Sequence, residues 1–311
     1  MKRDFIALEN YTEEEISRLI ELTDQLKKGK VHESGRLTGK AVGLLFQKPS
    51  NRTRVSFQVG VWQLGGNCLY LSPSEISLGV RESIHDVAKT LSRYLSCLVA
   101  RTFTHHDVME LAKHATIPVI NGLSDLHHPC QALTDLFSIK EKLGELKGLT
   151  LSYVGDGNNV CHSLLVGASQ AGLHMKVATP KGYEPHPTIV TLAKSIAKKT
   201  GSKIVLTNSP QNAVKDANVI YSDTWVSMGQ EEETKKRLKD FEGFQMNSEL
   251  VKLAKKDYIF MHCLPAHRGQ EVTADVIDGK HSIIFDQAEN RLHTQKAILI
   301  YLLDQIKNVS G

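Results

Sequence analysis

Between Phe46 and Phe57 the chain reads FQKPSNRTRVSF, a stretch whose side chains are suited to holding an anion. Ser50 and Asn51 are residue types that cap helix N-termini, and Val55, Phe57, Val59, Val61, Trp62 and Leu64 supply the apolar positions of a helix ending at Gly65-Gly66. The free N–H groups of such a helix start attract phosphate. Arg52 and Arg54 add forked donors, and the hydroxyls of Ser50 and Thr53 add short ones. A solvated helix start with two surface arginines is the plainer alternative.

Further polar residues follow short apolar runs. Arg101 ends the run from Cys97 to Ala100, where a charge is rarely placed for packing. In DLHHPCQALTD, Pro129 suits the first turn of a helix, and His127, His128 and Gln131 stand at its mouth. An imidazole and a carboxamide there can donate to a carbonyl oxygen as charge develops on it. GDGNNV (155–160) resembles a dinucleotide fingerprint but has Val160 at the third glycine position and no acidic residue after the next strand. Asn159 is instead read as a substrate contact. Asp223, followed by Ser227-Met228-Gly229, suits an amine, with a loop aspartate capping a helix as the alternative. Cys263, in His262-Cys263-Leu264-Pro265, places a thiol beside His262 or within reach of Asp223, as base or ligand. The His/Cys groups fit no standard zinc spacing. Arg291, in ENR, is a third candidate anion-binding cation.

These residues need a scaffold that brings strand ends together. Ala41–Phe46 is a continuous apolar run of the buried parallel-strand kind, and strand and helix signals then alternate along the chain. The last strand is expected at Ile283 to Phe285. The expected fold class is α/β, with two doubly wound parallel-sheet domains over 1–143 and 144–286 and a closing helix over 287–311. At 311 residues, 41% hydrophobic and 23% charged, the composition is that of a globular protein. The net charge of +4 is dispersed, so a nucleic-acid partner is not indicated. No apolar run reaches the roughly 18 residues of a membrane span, and the charged N-terminus lacks a signal-peptide core, so the expected location is cytoplasmic. Five cysteines in no regular framework are expected to be reduced.

PSNRTRVSF, the Arg101 strand end, HPCQ, the Asp223-to-SMG segment, HCLP and ENR occur in the order found in ornithine carbamoyltransferases. The resemblance spans residues 3 to 305, and six spaced motifs together are far more specific than any one alone. It implies a carbamoyl-phosphate domain followed by an amino-acid domain, a last helix that packs back on the first domain, and a homotrimer with sites between subunits. The substrates implied are carbamoyl phosphate and L-ornithine, the products L-citrulline and phosphate, and no metal or organic cofactor is required. By motif, Ser50, Asn51, Arg52 and Thr53 would hold the phosphate. Arg101, His128 and Gln131 would hold the carbamoyl carbonyl, joined by Arg291 and by the HPCQ neighbours Pro129 and Cys130. Asn159, Asp223, Ser227 and Met228 would contact ornithine, with Cys263 and Leu264 near both substrates. Domain closure would exclude water from a reactive intermediate.

Two positions depart from the family pattern. Asn51 replaces the second hydroxyl of Ser-Thr-Arg-Thr-Arg but leaves its backbone N–H available, and Ser77 stands where the family has a glutamine expected to reach carbamoyl phosphate across a subunit boundary. Arg81 offers charge there instead. An aspartate carbamoyltransferase would share the phosphate motif but should carry a P-L-P-R-like segment in place of HCLP and lack SMG. Relatives acting on acylated ornithine or putrescine differ by small pocket changes, and a nicotinamide enzyme or a non-catalytic binding protein are the alternatives from other classes.

Overall fold

The computed structural model describes residues 2–227 and 229–307. The chain divides into two compact units, one running up to Phe137 and resuming at Glu289, the other spanning Ser138–Ala288.

The first unit contains α1 (Glu13–Lys27), β1 (Ala41–Phe46), α2 (Asn51–Gln63), β2 (Asn67–Leu71), α3 (Pro73–Ile76), α4 (Ile84–Tyr94), β3 (Cys97–Arg101), α5 (His105–His114), β4 (Val119–Leu123) and the start of α6 (Pro129–Leu143). Its sheet is parallel, in the order β2-β1-β3-β4. The chain leaves β1 towards β2 on one side and later returns to β3 on the other. Their carboxyl ends therefore form a topological switch point, where doubly wound sheets bind ligands. Phe46 and Arg101 are register partners at that end. Thr12 and Glu15 form a capping box at the start of α1.

The second unit repeats the plan with β5 (Thr150–Val154), α7 (Asn159–Gln170), β6 (His174–Ala178), α8 (Pro187–Thr200), β7 (Ile204–Thr207), α9 (Pro210–Val214), β8 (Val219–Ser222), α10 (Thr234–Asp240), α11 (Ser248–Val251), β9 (Ile259–His262) and α12 (Ala274–Ile277). The order β7-β6-β5-β8-β9 puts its switch point between β5 and β8, with Val154 and Ser222 in register. Asp156 to Asn159 and Asp223 lie just beyond. Gly157 is confined there, because a Cβ would fall 2.3 Å from the Pro185 nitrogen.

The closing helix, α13 (Ile284–Lys307), belongs to the first unit from Glu289 onwards. Within that unit it is tied to α2: Ser56 Oγ donates to Gln295 Oε1 at 2.6 Å, and Lys296 Nζ reaches Gln63 Oε1 at 2.9 Å and Glu33 Oε2 at 2.6 Å. Gly60 allows the close approach, since a Cβ there would lie 3.2 Å from Lys296 Cγ.

One expected strand is corrected. Ile283 to Phe285 is not a strand: Ser282 makes one bridge to Phe260, Ile283 N donates to the Phe260 carbonyl at 3.0 Å, and α13 begins at Ile284. β4 begins at Val119, directly after Pro118, which has no N–H for a ladder. Among the described residues no helix is long and apolar enough to cross a membrane.

Candidate active site

Ser50 caps α2, its Oγ accepting from Thr53 N at 3.2 Å, so the FQKPSNRTR turn opens a helix as expected. Asn51 is the first helical residue, and Arg52 and Thr53 complete the first turn. Thr53 Oγ1 accepts from Arg291 Nη2 at 3.2 Å, and the other arm of that guanidinium, Nη1, donates to Gln131 Oε1 at 2.5 Å. Gln131 Nε2 donates in turn to Asp135 Oδ1 at 2.8 Å, which fixes the amide's orientation. Arg101, Gln131 and Arg291 are all buried.

His128 sits just before Pro129, the first residue of α6, and is buried. Its pKa is held well below 6.5, first by burial and then by the positive charges of Arg291, Arg101 and Arg52. Three guanidinium groups and a neutral imidazole therefore meet at one strand-end site. Such a cluster binds an anion and can donate to a neighbouring carbonyl.

Not every expected residue joins it through its side chain. Arg54 lies on another face of α2 from Arg52, since two helical steps turn the side chain by about 200°, and it stacks on Tyr70 at 3.8 Å. Cys130 turns its thiol to the Asn121 carbonyl at 3.4 Å, and burial pushes that thiol up to about 12. What Cys130 can offer a ligand is its backbone. Ser77 has φ +45°, and its hydroxyl donates to the Pro73 carbonyl at 3.3 Å, a local bond apart from the arginine cluster.

In the second unit Asp223 is 4% exposed and engaged on both oxygens. Oδ1 accepts from Thr224 N at 2.8 Å and from Cys263 Sγ at 3.0 Å, and Oδ2 accepts from Asn158 Nδ2 at 2.7 Å. Asp223 is thus a partner of the thiol. His262 has another task. Its Nδ1 accepts from Leu264 N at 2.9 Å, which assigns the proton to Nε2, 3.4 Å from Glu271 Oε1. His262 thus braces Leu264, whose φ of +56° is costly for a branched side chain. Asn159 is the first residue of α7, and Ser227 N donates to Gln230 Oε1 at 3.1 Å. Met228 lies outside the described residues. The segment after Asp223 is anchored by buried Arg237, which donates to the Trp225 carbonyl at 3.0 Å and pairs with Asp156 at 2.8 Å. Among the described residues one group has metal-ligand atoms within 4.8 Å of one another: Asp223, His262 and Cys263.

Residues 3–141 match the family profile described as aspartate/ornithine carbamoyltransferase, carbamoyl-P binding domain, and residues 147–302 match the Asp/Orn binding domain of the same family. The chain belongs to the aspartate/ornithine carbamoyltransferase family. A protein of Oceanobacillus iheyensis named ornithine carbamoyltransferase is 55% identical over 305 residues, covering 97% of this chain and 94% of its own. A namesake from Thermococcus kodakarensis is 52% identical, with 98% of each covered. Among solved structures, the ornithine carbamoyltransferase of Pyrococcus furiosus superposes with a TM-score of 0.95 at 51% identity, covering 97% of both chains.

Three residues that sequence reasoning did not single out contact or brace the candidate segments: Asn158, Arg237 and Glu271. Asn158 precedes the residue chosen at the same helix mouth. Glu271 follows His262 through an irregular loop, and Arg237 follows Asp156 by 81 residues, so no spacing rule exposes either contact. Asp135 was detectable, since it lies one helical turn beyond Gln131 on the same face.

Proposed function

We propose that the chain is an ornithine carbamoyltransferase, moving the carbamoyl group of carbamoyl phosphate to the δ-amine of L-ornithine to give L-citrulline and phosphate. The observation that carries this reading is the Asp223–Cys263 contact at 3.0 Å, made by the two segments, SMG-linked and HCLP, that separate an ornithine acceptor from aspartate.

Carbamoyl phosphate is assigned to the first unit. Ser50, Asn51, Arg52 and Thr53 bind its phosphate with the open N–H groups of α2, and Arg291 adds charge. Arg101, His128 and Gln131 take the carbonyl, with the backbone of Pro129 and Cys130 beside them. As the amine nitrogen bonds to the carbonyl carbon, the bond to the bridging oxygen breaks and its electrons leave on phosphate. Donors aimed at the carbonyl oxygen and guanidinium groups at the phosphate stabilise both developing charges.

Ornithine is assigned to the second unit, at Asn159, Asp223, Ser227 and Met228, with Cys263 and Leu264 beside the reacting amine. The δ-ammonium, like that of Lys, titrates near about 10 and must lose a proton before it attacks. Asp223 with Cys263 orients the nitrogen and relays that proton. The reading places the enzyme in the cytoplasm as a homotrimer. Val55, Trp62 and Leu69, exposed on α2 and β2, supply an apolar surface for assembly.

The deciding experiment is citrulline formation from carbamoyl phosphate with L-ornithine, N-acetyl-L-ornithine, putrescine and L-aspartate compared as acceptors. Ornithine should be strongly preferred. Arg52→Ala should lose both carbamoyl-phosphate affinity and turnover, and Cys263→Ala should mainly slow the amine step. Mild, equal effects from both, or preference for another acceptor, would sink the assignment.

A further inference from the structure

Asp223 faces its acceptor half of the site in an orientation that it does not set by itself. Its Oδ2 is held by Asn158 Nδ2 at 2.7 Å, a short bond for an amide donor. The amide has no freedom to turn over. As the N-cap of α7, Asn158 uses its Oδ1 to accept from Val160 N at 3.0 Å, Cys161 N at 3.2 Å and the Tyr153 hydroxyl at 3.3 Å. With the oxygen committed to the two backbone donors, the nitrogen must face Asp223. Thr224 N and Cys263 Sγ then fall to Oδ1, at 2.8 Å and 3.0 Å.

We infer that Asn158 is a positioning residue for the transfer reaction: it couples the start of α7 to the Asp223 carboxylate and thereby aims that group at Cys263 and the incoming amine. This inference rests on the functional reading above. Asn158 is assigned no substrate contact, and its side-chain amide donates to Asp223, so it acts through that carboxylate. The residue type matters because only a side chain offering an acceptor and a donor on one rigid plane can cap the helix and hold the carboxylate together. Serine caps without that donor. Aspartate caps equally well but places a second acceptor against Asp223.

The test separates capping from positioning. In Asn158→Ser the cap survives, so its melting temperature should stay closer to wild type than that of Asn158→Ala, which loses both functions, whereas Asn158→Asp keeps the cap but sets a carboxylate against buried Asp223 and should melt lower. Expected are a fall of at least tenfold in kcat/KM for ornithine in the Ser variant, a larger fall in the Asp variant, and a carbamoyl-phosphate KM within twofold of wild type in both. A second readout needs no turnover. Alkylation of Cys263 by iodoacetamide, followed by peptide mass spectrometry, should slow at least threefold in Asn158→Asp, where added negative charge next to Asp223 disfavours the thiolate. If the wild type makes citrulline, ornithine kinetics at wild-type values in Asn158→Ser overturn the inference. If the wild type makes none, the functional reading fails on its own account, and an unchanged alkylation rate in Asn158→Asp overturns the positioning.

Discussion

A histidine hemmed in by three arginines is held neutral, and that has a measurable sign. His128 has its pKa well below 6.5 in the folded protein, from burial and from Arg291, Arg101 and Arg52. As pH falls through 6.5 the unfolded chain takes up a proton that the folded site resists, so acidification costs stability down to the folded-state value. His128→Asn should therefore flatten the loss of melting temperature between pH ~6.5 and ~5. Equal slopes for variant and wild type would show that the imidazole is not buried among those charges. The same group shows what a sequence discloses at this scale. Arg52, Arg101, His128 and Asp223 stood out because charged or polar residues follow apolar strands. Glu271 and Asn158 did not, because a residue that braces another declares itself only through a contact.

Elements carry the next constraint, since Arg291 meets Thr53 only if α13 and α2 keep their register. Thr53, Ser56, Gly60 and Gln63 on α2 face Arg291, Gln295 and Lys296 on α13. Lys296 is 2% exposed, whereas the side chain of its partner Glu33 is 32% exposed. Glu33→Ala leaves an ammonium buried with Gln63 and should destabilise the first unit by about 2 kcal/mol, below the cost for a fully buried pair because Glu33 is partly solvated. Lys296→Met, apolar and of similar length, should cost less, about 1 kcal/mol or under. Thermal melts of the two variants decide it, and the reverse ranking would refute the argument. Strand positions such as Ala41–Phe46 were readable from apolar runs. Ile283 to Phe285 was misread because a short apolar run has no periodicity to distinguish a strand from the first turn of a helix.

At the scale of the molecule, two units with separate sheets imply that one unfolding free energy does not describe the chain. Calorimetry should resolve two transitions. Inorganic phosphate, the proposed product, should raise only the transition of the unit containing α2. At a hundredfold over its Kd the stabilisation is about 2.7 kcal/mol, a shift of roughly 5–11 °C for a unit of this size at about 2–4 °C per kcal/mol. A shift confined to the other transition would remove the anion site from α2. The two-sheet plan was legible from alternating strand and helix signals. The return of α13 to the first unit was not, because the apolar pattern of a helix does not say which sheet it will cover. Only the resemblance implied it.

That return has a consequence for how the protein is made. Thr53 and Arg291 are 238 residues apart in sequence. At translation speeds of about 5–20 residues per second, roughly 12–48 s separate their emergence from the ribosome. For that interval the nascent first unit exposes the face of α2 that α13 will cover, and an intervening unit must be synthesised before the covering helix arrives. A chain interrupted after the second unit would contain every strand of both sheets and still be without Arg291.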